Sequence, residues 1–147
     1  AFNDFDFFTR LLSHFSDNST KLVIRFMDLD LFTNSIKKVF KIPLPNNLLI
    51  HGTESSFINI DFKQTQNKIY FSWTHNTPIN EKMIGKENLI DIFAKKKWKY
   101  IDYQLNENYN KTIEIMASNP NLDITKDTHL IWDLYFSCFS LIVLARS

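Results

Sequence analysis

The sequence predicts an α+β fold in a single domain spanning residues 1–147. The expected architecture is a small, mostly antiparallel sheet packed by about four helices, with a buried C-terminal helix. Three observations carry that prediction. Apolar residues recur at helical spacing in some segments and alternate in others. The middle of the chain reads as hairpins rather than as strand–helix–strand units, which argues against a parallel sheet. Finally, 147 residues at 44% hydrophobic and 22% charged suit one core.

The elements follow in order. Phe5, Phe8, Leu11, Leu12 and Phe15 fall on one helical face, which Asn3 or Asp4 can cap and residues 16–19 end. Residues 22–29, rich in Val, Ile and Phe, read as a strand. Residues 32–40 fit a short helix or a strand equally. Pro43 and Pro45 forbid a regular central strand, and Asn46 and Asn47 complete a turn. Residues 48–51 form a short strand closed by Gly52. Residues 57–62 alternate, 63–68 are polar and 69–74 are apolar and aromatic, which predicts a hairpin with a longer loop. Residues 76–86 read as a loop punctuated by Pro78 and Gly85. Leu89, Ile90, Phe93 and Ala94 mark a helix beginning near Lys86, and residues 98–105 a strand. Tyr109, Ile113, Met116 and Ala117 mark another helix, stopped at Pro120. Residues 125–147 are apolar nearly all round, with Asp133, Ser137 and Ser140 as one polar stripe, and predict a central buried helix.

Composition narrows the function. With 17 basic and 16 acidic residues the net charge is +1, so no long-range field draws the protein to nucleic acid. One cysteine, Cys138, excludes an intramolecular disulfide framework and a Cys-based zinc site, and fits a reducing compartment. The chain opens without a basic signal region, and its longest apolar stretch, residues 134–145, is too short to span a bilayer. A soluble, cytoplasmic protein without membrane partners is expected. The plentiful Lys, Asn, Ile and Phe read as the drift of an AT-rich, bacterial-type genome.

Catalytic motifs are sparse. No G-x-S-x-G or phosphate-cradling glycine loop occurs. His14, His51, His75 and His129 form no paired metal motif, and no metal or cofactor is expected. One stretch makes a catalytic bid. Residues 23–27 are a hydrophobic strand running into Asp28, Leu29 and Asp30. This resembles the opening of the haloacid-dehalogenase-type phosphotransferases, a strand followed by D-x-D-x-[T/V]. The resemblance implies a nucleophile at Asp28, a general acid/base at Asp30 and metal-assisted phosphoryl transfer. It covers about a tenth of the chain, and Phe32 stands where Thr or Val is expected. The plain alternative is that the two acids end a strand and start a turn.

Two surface signals remain. Lys95, Lys96, Lys97 and Lys99 interleave with Trp98 and Tyr100, a pattern that can pair phosphates and stack bases, although a lysine-rich last helical turn also suits the helix dipole. Aromatics make up 15% of residues, several in polar company. Trp73, His75, Trp98, Tyr100 and Tyr103 are the candidate anchors for docking onto another protein. The expected function is therefore a small non-enzymatic protein-binding domain, most concretely an immunity or antitoxin-type inhibitor that occludes a toxin partner. The alternatives are phosphoryl transfer at Asp28 and Asp30, or nucleic-acid binding through Lys95 to Lys99.

Overall fold

A computed structural model describes residues 21–52, 57–62, 69–75 and 77–146 of the chain. The helix expected around Phe5 to Phe15 and the loop expected at 63–68 lie outside these residues. The described elements are β1 (Lys21–Met27), α1 (Leu29–Phe40), β2 (Asn47–His51), β3 (Phe57–Asp61), β4 (Ile69–His75), β5 (Thr77–Met83), α2 (Lys86–Lys95), β6 (Trp98–Gln104), α3 (Tyr109–Ala117), α4 (Thr128–Ser137) and β7 (Phe139–Arg146). The fold is α+β.

The strands form two antiparallel sheets. One has the order β1-β7-β6, with Lys21 opposite Ala145 and Trp98 opposite Arg146. The other is a meander in the order β2-β3-β4-β5. The expected hairpin of residues 57–62 and 69–74 is present as β3 and β4, Ile58 facing Trp73 in the register.

Residues 32–40 belong to a helix. Asp28 sits in extended backbone as its N-cap, and Phe32 and Ile36, one turn apart, are both fully buried. Lys41 closes it in the left-handed conformation, its N–H donating to the Lys37 carbonyl at 3.0 Å.

Two expectations need correction. Residues 77–83, read as part of a loop, are β5, paired with β4 from Met83 opposite Ile69 to Thr77 opposite His75. Pro78 had argued against a strand. β5 lies at the sheet edge, where a missing N–H is tolerated. The second correction is at residues 125–147. A buried helix does pack there, but it ends at Ser137, and the chain continues as the central strand of the three-stranded sheet. A run that is apolar throughout carries no period to separate helix from strand. Pairing on both sides decides it, burying Ser140, Ile142 and Leu144 while their neighbours stay half-exposed.

Two apolar clusters result. The larger joins α1, α3 and α4 to the meander through Phe32, Ile36, Met116, Leu134 and Tyr135 on one side and Leu48, Ile50 and Ile60 on the other. The smaller packs Leu89 and Phe93 of α2 onto Ile24, Phe26, Ile142 and Leu144 of the three-stranded sheet, with Trp98 beside them. Leu89 and Phe93 lie four residues apart, so one face of α2 contributes both, each worth about 1.5–3 kcal/mol of burial. Trp98 is 2% exposed. Trp98→Ala is expected to lower the unfolding free energy by about 3–5 kcal/mol in urea titrations. A surface aromatic would cost about 0.5 kcal/mol or less.

Candidate functional site

The strongest convergence of polar side chains in the described residues is centred on Asp28. β1 stops at Met27 and α1 starts at Leu29, so Asp28 is the hinge between strand and helix. Its backbone is held from both sides. The Asp28 N–H donates to the Cys138 carbonyl at 3.0 Å, and the Leu29 N–H donates to the Ile84 carbonyl at 3.1 Å. Asp28 thereby forms a parallel bridge with Ile84, just past the end of β5.

The side chain is 4% exposed and both its oxygens are engaged. Oδ1 accepts the Leu31 N–H at 3.4 Å and the Lys86 N–H at 3.2 Å. Oδ2 accepts the Tyr103 hydroxyl at 2.6 Å. One carboxylate thus serves the N-termini of two helices, α1 and α2, where exposed N–H groups and the helix dipoles favour negative charge. The Tyr103 oxygen also lies 3.0 Å from Ser140 Oγ, and the Ser140 hydroxyl donates to the Cys138 carbonyl at 3.2 Å.

These bonds tie three chain segments together. Burial, and then the bond to Asp28, push the Tyr103 hydroxyl well above its ordinary range. Burial, and then the nearby Asp28 charge, do the same to the Cys138 thiol. Neither group is an anion at neutral pH, and a protonated thiol is a poor nucleophile. A phosphoryl acceptor at Asp28 would need an oxygen presented to substrate. Here hydrogen-bond donors from three chain segments cover both.

Asp30 sits two residues further on, exposed but crowded. An ideal Cβ built on Gly85 would collide with its carboxylate, so the glycine leaves the space the acid fills. Partial desolvation, and then the like charges of Asp28 and Glu87, raise the Asp30 pKa above its ordinary 3.8. The Lys86 ammonium lies over two rings, 4.7 Å from the Tyr103 centroid and 5.4 Å from that of Tyr100.

The five candidate docking residues lie on strands of two different sheets. Trp73 and His75 lie on β4 of the meander, and their side chains are outside the described residues. The other three lie on β6, in the other sheet. Trp98 is corrected from anchor to core: it is an inner-face residue packed beside Phe93. Tyr103 is half-buried and spends its hydroxyl on Asp28. Tyr100 alone of the three is exposed, at 36%. Its exposed neighbour Ile101, at 45%, was not singled out from the sequence, because the irregularity in pairing between Tyr100 and Asp102 that turns it outward has no local signature. The lysines around Trp98 close α2 and make the turn into β6, with Lys97 at a φ of 66°. With Trp98 buried, that stretch loses one of its two stacking rings.

Two tests follow. Tyr103→Phe removes the shortest bond to a buried carboxylate and is expected to cost about 1.5–3 kcal/mol of stability in denaturant titrations. Asp30 has a raised folded pKa, so its ionisation opposes folding, and this penalty grows as pH rises from below 3.8 through the raised value. Asp30→Asn should therefore gain stability relative to the wild type across that window in parallel titrations, with the difference levelling off above it. No protein-family model matches the chain, and no curated protein matches it.

Proposed function

We propose that the protein is a non-enzymatic binding domain that docks onto another protein through the outer edge of β6. The observation that carries this reading is the pair Tyr100 and Ile101. Both are exposed on a strand at the end of the sheet order, which has no further strand partner among the described residues. An open strand edge offers backbone donors and acceptors, and adjacent aromatic and aliphatic side chains supply apolar anchors. Lys86 over the Tyr100 ring restrains the tyrosine in advance, which lowers the ordering cost of binding. The non-catalytic part of the reading is supported by the full engagement of Asp28 and the protonated, buried state of Cys138.

The most concrete form of the proposal is an immunity or antitoxin-type inhibitor that covers the active site of a toxin. Such a protein works by shape and needs no chemistry of its own. No helix in the described residues is long and apolar enough to cross a membrane. A cytoplasmic location is part of the proposal, and the free Cys138 thiol accords with it.

The test is affinity capture from the source cells with the wild-type chain and with a Tyr100→Ala, Ile101→Asp double variant. The wild type should retain a partner whose affinity the variant weakens about 30-fold or more, as expected for a lost central aromatic anchor. Circular dichroism should stay unchanged, because both side chains are exposed. Equal retention by the variant would remove β6 from the interface. For the inhibitor form, co-expression should restore growth to cells producing the captured partner.

A further inference from the structure

Cations from three strands and a turn gather at one end of the three-stranded sheet. Lys21 begins β1 and Lys99 lies near the start of β6, and both stand opposite Ala145 of β7. Two strand spacings, about 10 Å, separate their backbones. Arg146, next on β7, is opposite Trp98 and lies over its ring, 5.4 Å from the centroid. Lys95, Lys96 and Lys97 lead from the end of α2 into β6. The lysines are all exposed and Arg146 is half-buried. None of these side chains is in an ion pair among the described residues.

The acids of the same elements do not balance them. Glu87 stands at the opposite end of α2, beside Asp30. Asp102 is engaged on its own strand, Oδ1 accepting the Tyr103 N–H at 2.8 Å and Oδ2 the Gln104 amide at 3.5 Å. That leaves Asp91, one turn before Lys95. The helix dipole accounts for Lys95, in the last turn of α2, but not for the lysines past it or for Lys21 and Arg146. The turn also fixes its charges in place. The Lys96 N–H donates to the Phe93 carbonyl at 3.0 Å and the Lys97 N–H to the Ala94 carbonyl at 3.1 Å, and Trp98 is buried directly after them. Lys97 holds a φ of 66°, where glycine is the usual residue, so a charge is kept there at a cost in backbone energy.

The cluster is continuous with the docking edge, because Tyr100 follows Lys99 on β6. We infer that the partner segment that pairs with this edge is acidic: an extended strand of another protein whose end beside the turn carries carboxylates, set against Lys96, Lys97 and Lys99. Charges at an open edge select among strands, admitting opposite charge and refusing like charge. A protein fits better than a nucleic acid. The Trp98 ring is buried and cannot stack on a base, Lys86 already lies over the Tyr100 ring, and a net charge of +1 gives no long-range pull on a polyanion. The inference rests on the β6-edge reading and adds the charge of the partner.

The probe is a fluorescent, end-capped peptide joining a run of glutamates to alternating valine and threonine. Two versions, with the glutamates leading or trailing, cover both strand directions. Fluorescence anisotropy at low salt should show saturable binding of one version to the wild-type chain, weakening as salt rises. Glutamine in place of the glutamates, or a Lys96→Glu, Lys99→Glu double variant, should each weaken it about tenfold or more. The Tyr100→Ala, Ile101→Asp variant should weaken it as well. No saturable binding, equal affinity of the glutamate and glutamine peptides, or a lysine variant that binds like the wild type overturns the inference. So does tighter binding of a single-stranded oligothymidylate of the same length, which would assign the cluster to nucleic acid. Glutamate-peptide binding that the Tyr100→Ala, Ile101→Asp variant leaves intact overturns it too, by separating the cations from the edge. If the peptides fail while that variant still loses its captured partner, the charge assignment alone is refuted and the edge reading stands.

Discussion

The fold depends on how the buried Asp28 side chain is supplied with hydrogen-bond donors in place of water. An ion removed from solvent costs several kcal/mol unless donors replace its hydration. Here the replacements come from Leu31 at the start of α1, Lys86 at the start of α2, and Tyr103 in β6. They are close to the carboxylate only when the strand carrying Asp28, the exit from the meander and the third strand of the other sheet have all arrived. A single side chain therefore reports on the assembly of both sheets, and an incomplete arrangement leaves it costly. This favours one arrangement over loosely packed alternatives with similar apolar burial.

The same place is the boundary between the two apolar clusters. Phe26 belongs to the smaller and Met27 to the larger, with Asp28 next in the chain. From Cys138 into β7 the chain passes from the larger cluster to the smaller: Cys138 packs in the larger, Ser140 joins the polar network, and Ile142 packs in the smaller. The side chains of Asp28, Tyr103 and Ser140 thus meet where the cores join. Gly85 fits this economy of space, because Asp30 occupies the volume that a side chain there would need. Gly52 does the same for the larger cluster, letting the Trp132 indole lie against the end of β2. The two glycines of the chain both mark close approaches rather than turns that demand unusual backbone.

Much of this was legible from local pattern. The strand before Asp28, the hairpin, the helix from Lys86 and the helix from Tyr109 all carry a period or a punctuation mark of their own. What could not be read depends on partners distant in sequence. Phe139 to Arg146 is a strand because β1 and β6 flank it, and nothing within those eight residues says so. Pro78 argues against a strand everywhere except at an edge, and edge status is a property of the sheet. The site divides in the same way. Asp28 was legible as a residue that ends a strand, but its part in capping α2 was not, since Lys86 lies 58 positions away. Trp98 read as an anchor because it stands in polar company, whereas in the fold it is buried at the start of β6 while Lys99 and Tyr100 after it stay exposed.

The strand order has a consequence for biosynthesis. β7 is both the middle of its sheet and the last described strand in the chain, so its two neighbours emerge from the ribosome long before the strand that joins them. Until then Ile24, Phe26 and the apolar face of α2 have no complete sheet to bury them, and closing Lys21 onto Ala145 is a contact of high sequence separation, slow to find. The nascent chain passes through a long stage with an unpaired first strand, a stage in which a holding chaperone would have most to grip.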